Sequence, residues 1–99
     1  MPRFDVHRRA MGSGLLLDCQ ADLLAHLNSR FVVPLLPQAD APKPAKRLNP
    51  LFEIDGQPFV MVTQFAAAVH VRELGPVVTS LATDDTAIIN ALDMLLTGI

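Results

Sequence analysis

Tryptophan and tyrosine are absent from this chain of 99 residues, and phenylalanine occurs only five times, so its core has to be aliphatic. Cysteine occurs once, as Cys19, which excludes an intramolecular disulfide and fits a reducing compartment. Excess positive charge is missing as well. The formal net charge of −2 argues against wholesale neutralisation of phosphates, so no direct nucleic-acid binding is expected. The longest apolar run falls far short of the ~20 residues that span a bilayer. The first residues also lack an apolar h-region with a small-residue cleavage site. A cytoplasmic protein without a membrane segment is the simplest expectation. What the chain does have is apolar content: 51% of residues, in a length that supports one modest core and one domain over residues 1–99.

Much of that content lies in the last stretch, Thr83 to Ile99, TDDTAIINALDMLLTGI. Thr83 is a good N-cap, Asp84 and Asp85 suit the positive end of a helix dipole, and Gly98 sits where a helix stops. At about 100° per residue, Thr86, Asn90, Asp93 and Thr97 fall on one narrow polar strip. The remaining side chains make an apolar arc of roughly 220°, where a surface helix needs little over 100°. One sheet is not expected to cover so wide an arc, so either the chain's other loops bury the second side or a second copy does; the second copy is favoured, a homodimer with Ile88, Ala91, Leu92 and Leu95 at its interface. No Lys or Arg lies in the last turns, so residues 97–99 are expected to fray until a partner orders them.

Upstream, residues 3–8 and Leu15–Gln20 read as strands joined by Met11-Gly12-Ser13-Gly14, a hairpin. Ala21–Asn28 is too short a signal to assign. Arg30–Leu36 is an apolar strand whose Pro34 is expected at an edge or a bulge. Residues 37–50 carry four prolines and three basic residues and read as an exposed, stiff loop. Leu51–Ile54 and Phe59–Thr63 flank Asp55-Gly56, a strong hairpin signal. Gln64–Val69 reads as a connection and Val71–Leu74 as a short strand broken by Gly75-Pro76. Val77–Ala82 leads into the final helix. Several antiparallel strands followed by one helix make an α+β or small-barrel pattern.

Few residues point to chemistry. His7, His26 and His70 are far apart and lack a metal-ligand spacing, so they read as surface or boundary histidines. Cys19 reads as a packed thiol, and Gly12 and Gly14 as turn glycines. Lys43, Lys46 and Arg47 form a charged loop that could meet an acidic peptide. No catalytic constellation, metal site or cofactor motif stands out, and the residues alone imply only a small α+β domain that self-associates.

Four segments in order carry a resemblance: DCQADLL at Asp18–Leu24, RFVVPL at Arg30–Leu35, LNPLFEIDGQPFVMVT at Leu48–Thr63, and the closing helix with Gly98-Ile99. Together the chain resembles the CcdB family of toxins from type II toxin–antitoxin modules. The resemblance implies an SH3-like barrel-type antiparallel sheet with a C-terminal α-helix, mainly β, and a homodimer with its helices near the dimer axis. It also implies a non-enzymatic poison that binds the A subunit of DNA gyrase, a topoisomerase, and traps cleaved DNA, and that is neutralised by a CcdA-like antitoxin. The family's gyrase contact, a Trp-Gly-Ile helix end with an apolar pair, maps onto Gly98, Ile99, Leu23 and Leu24. Thr97 stands where the family has tryptophan, and Asp93 where it has asparagine. Three readings follow: a toxin with altered anchoring, a weakened or inactive homologue still held by an antitoxin, or a protein moved to another target. The rivals are a MazF-like endoribonuclease, for which no Arg–Thr or Arg–His pairing is evident, and a non-toxic antitoxin-binding module.

Overall fold

Positive-φ glycines turn the chain at Gly12 (φ 85°) and Gly14 (φ 99°), between Asp5–Arg9 (β1) and Leu15–Asp18 (β2), in a computed structural model that describes residues 2–98. The two strands pair antiparallel, as expected, and Ser29–Pro37 (β3) adds to β2. Leu51–Ile54 (β4) and Gln57–Met61 (β5) form the second expected hairpin. Asp55 (φ 53°) and Gly56 (φ 76°) both turn left-handed there, as a two-residue hairpin loop requires. Ala67–His70 (β6), Leu74–Ser80 (β7) and the helix Asp85–Thr97 (α1) complete the chain. The order β4-β5-β3-β2-β1-β7, with β6 also on β3, makes a curled antiparallel half-barrel with a C-terminal helix. The barrel-type, mainly β architecture is therefore the one read from the sequence.

Three local readings change. β6 takes up the second half of the expected connection Gln64–Val69, while Val71–Glu73 is a 3-10 turn and not a strand. His70 causes the turn, because its Nδ1 accepts the Arg72 N–H and caps the turn. β7 also runs through Gly75-Pro76 instead of stopping. His7 faces Val77 and Arg9 faces Leu74, so Gly75 and Pro76 together oppose Arg8 in a bulge on an edge strand, where proline costs no ladder bond. A Cβ on Gly75 would lie 2.8 Å from the Arg8 carbonyl oxygen, so only glycine fits this approach. Pro34, expected at an edge or bulge, is in the central strand. Its carbonyl accepts from Val62 N–H at 3.0 Å, so its missing donor faces the same edge, in the gap where β3 changes partner from β6 to β5.

Alternation sends Val6, Leu15, Leu17, Val33 and Leu35 into one core with Phe52, Ile54, Met61 and Leu81. Ile88, Ala91 and Leu92 belong to that same core, at 0%, 0% and 8% exposure, which corrects their placement at a dimer interface. A curled sheet covers more of a helix than a flat one, and the Thr63–Phe65 turn packs on α1 as well. Leu95 stays accessible, beside the exposed Met94 and Leu96. The helix entry also differs. Ala82–Asp84 is a 3-10 turn whose last N–H bonds Leu81 O, so Asp84 and not Thr83 takes the N-cap position, without a side-chain cap bond. No helix among the described residues is long and apolar enough to cross a membrane.

The opposite face of β2 and β3 holds a fully buried ion pair. Arg30 donates to Asp18 Oδ2 through Nε (3.0 Å) and Nη2 (2.6 Å), with both side chains at 0% exposure. Removing one partner from such a pair strands the other charge. Asp18→Asn is expected to cost about 3–5 kcal/mol in urea unfolding, and the double change Asp18→Leu with Arg30→Met to recover most of it.

Candidate functional site

Gln20 fixes the segment that carries the apolar pair Leu23 and Leu24. Its Nε2 donates to Leu24 O (3.1 Å) and Ser29 O (3.0 Å), and its Oε1 accepts from Phe31 N–H at 2.9 Å. Its own N–H donates to Asp18 Oδ1 at 3.0 Å, which ties this clip to the buried ion pair. Asp22 Oδ1 accepts from Arg3 N–H at 2.7 Å and holds the 3-10 turn Asp22–Leu24 from the other side. Leu23 is left 87% exposed and Leu24 43%, with Leu27 also open, on a turn that buries none of its residues. Exposed leucines on a restrained turn form a contact surface that costs little entropy to dock.

The helix tip is equally well defined. Gly98 takes the left-handed conformation (φ 76°) and its N–H bonds Met94 O at 3.1 Å, a regular C-cap. Thr97 Oγ1 donates to Asp93 O at 2.7 Å, so its hydroxyl is satisfied by its own helix. These two bonds hold residues 97 and 98 in place of the missing basic residue; Ile99 lies outside the described residues. Asp93, Met94, Leu95, Leu96 and Thr97 are exposed, Leu96 the most at 72%. The helix packs chiefly on the Thr63–Phe65 and Ala82–Asp84 turns, and the Leu23–Leu24 turn is not among its main contacts.

Other candidates resolve plainly. Cys19 is buried and has no partner thiol; burial, then the neighbouring Asp18 charge, push its thiol up to about 12, against a smaller lowering by Arg3. His7, expected at a surface or boundary, is buried, with Nδ1 3.0 Å from Gly75 O. His70 meets Arg72, an Arg–His pairing that the sequence did not reveal. Among the described residues no group of His, Cys, Asp or Glu could hold a metal ion.

Residues 3–98 match the family described as CcdB protein. This chain belongs to the CcdB family. No curated protein matches it in sequence. Among solved structures it is similar to the Mycobacterium tuberculosis toxin MazF-mt6, with a TM-score of 0.75 at 17% identity, over 90% of this chain and 92% of that one. That likeness is one of fold. Membership of the CcdB family makes the chain a toxin of a toxin–antitoxin module, with an antitoxin as its partner.

Within this CcdB-family chain, sequence reasoning missed Gln20 and the Asp18–Arg30 pair, which hold the Leu23–Leu24 turn in place. The segment DCQADLL contained the signal, a polar residue on either side of a buried cysteine. Gln20→Ala should speed amide exchange across residues 21–28 and cost about 1–3 kcal/mol, because Phe31 N–H and two carbonyls lose their partner. Cys19 should resist alkylation at pH 8 until the protein unfolds. With an ordinary thiol value of 9.0 raised to about 12, the unfolded thiol ionises first, so stability is full below about pH 9 and falls as pH rises toward 12. Cys19→Ala should flatten that slope in denaturation curves taken at a series of pH values.

Proposed function

We propose that this toxin is a non-enzymatic poison of DNA gyrase that binds the A subunit and traps the cleaved complex, with contact made by Leu23, Leu24 and the helix tip. The observation that carries this reading is the exposure of Leu23 and Leu24 on a turn held by the Gln20 clip, together with an exposed Thr97 beside the Gly98 cap. Position 97 points the same way: it lies on the exposed polar strip, where a side chain is accessible to a partner's pocket. Threonine there offers a small group whose hydroxyl is already bonded to Asp93 O, so the anchor is weak. The toxin works as a homodimer through Leu95 with Met94 and Leu96, the apolar part of α1 that its own sheet leaves open. A CcdA-like antitoxin neutralises it in the cytoplasm.

A gyrase cleavage-complex assay tests this. Thr97→Trp should lower the concentration that stabilises cleaved DNA by more than about 20-fold, the worth of an aromatic anchor of about 2 kcal/mol. If neither form stabilises cleaved DNA at micromolar concentration, gyrase is not the target. Removal of residues 97–99 should abolish the effect and leave the dimer intact in solution scattering.

A further inference from the structure

We propose that the hollow between the β1–β2 hairpin and the turn after β6 is a carboxylate-binding site for an acidic segment of the antitoxin. The partner's identity rests on the toxin–antitoxin reading above, while the chemistry of the site does not. The hollow holds about 350 Å³ and is lined by Arg9, Ala10, Met11, His70, Arg72 and Glu73. Backbone bonding sets its walls: Ala10 N–H donates to Glu73 O at 2.9 Å, and Arg9 stands opposite Leu74 in the β1–β7 register. Arg9 and Arg72 are therefore brought to one space by the sheet and not by chance loop geometry.

Neither guanidinium is in an ion pair among the described residues. Among the described residues the ion pair is that of Arg30 with Asp18, and Glu73 joins none although it lines the same hollow. Arg72 spends its Nε–H on His70 Nδ1 at 3.4 Å, where its backbone N–H also donates at 3.1 Å. With two donors on Nδ1, that nitrogen acts as an acceptor and leaves Nε2 as a third donor group on the walls. Guanidinium forks bind carboxylates by parallel charge-assisted bonds. Ala10 and Met11, the latter 87% exposed, add an apolar wall, so the site suits an acidic side chain next to an apolar one. A nucleic-acid strand fits less well. It needs cations tracking the backbone, and here they end at one hollow with a carboxylate in its wall, on a chain of net charge −2. The structure thus assigns to Arg9 and Arg72 a role that the sequence suggested for Lys43, Lys46 and Arg47.

The test is a magnetic-resonance titration of the isotope-labelled protein that follows the arginine Nε–H signals. The probes are acetyl-Glu-Leu-Glu-Leu-amide, the matched peptide with Gln for Glu, and a ten-nucleotide single-stranded RNA. The acidic peptide should shift the Arg9 and Arg72 signals saturably, and the Gln peptide should bind at least about tenfold more weakly. Arg9→Gln and Arg72→Gln should each weaken the acidic peptide about fivefold or more while the amide fingerprint stays that of the folded protein. Equal binding of the Gln peptide, tighter saturation of the same signals by RNA, or no saturable shift at millimolar peptide would overturn the site. Growth arrest is a separate readout. A chain that binds the peptide but leaves growth unchanged refutes the toxin reading alone, and one that arrests growth without binding it refutes the site alone.

Discussion

Asp18 and Arg30 meet across β2 and β3 with no water-accessible surface, and much of the molecule's geometry depends on that contact. Burying two charges is a poor source of net stability, since desolvation consumes most of the attraction. The pair does supply register. A one-residue slip of β3 against β2 would turn Arg30 toward Val33, Leu35 and the rest of the aliphatic core, which cannot solvate it. Asp18 also accepts the Gln20 N–H with its other oxygen, so one carboxylate orients both the strand pair and the clip that holds the Leu23–Leu24 turn. Two exposed leucines thus inherit their position from a charge that solvent never touches.

The terminal helix divides its apolar surface between two uses. Ile88, Ala91 and Leu92 complete the core of the half-barrel, which leaves Met94, Leu95 and Leu96 outside it. The division falls along the helix as well as around it, with the buried residues upstream and the open ones in the last turns. A stripe that looks uniformly greasy is therefore half internal packing and half open surface, and the second half ends at the Gly98 cap.

Much of this architecture was legible because it is locally encoded. Asp55-Gly56 specifies its hairpin by backbone preference, and the run after Asp85 specifies a helix by period and composition. The ion pair was not legible, because its members are separated by twelve positions and joined only when β2 and β3 align. Nor was β6, whose Ala67, Ala68 and Val69 have little strand signal of their own and take their conformation from pairing with β3. Gly75-Pro76 reads as a stop in isolation, yet the bulge opposite Arg8 absorbs both residues. The hollow between Arg9 and Arg72 joins residues more than sixty positions apart, so no local pattern could announce it. The helix's wide arc is partly covered within the chain, where the Thr63–Phe65 turn packs on α1 and Ile88, Ala91 and Leu92 join the core of the half-barrel.

Pro34 has a further consequence. A strand of nine residues that bonded one neighbour along its whole second edge would bind the molecule into a single zipper. By withholding one amide where β6 gives way to β5, the proline splits that edge into two short ladders. The shared strand stays bonded to β2 along its other side, so one strand serves two neighbours in succession, with the proline at the changeover.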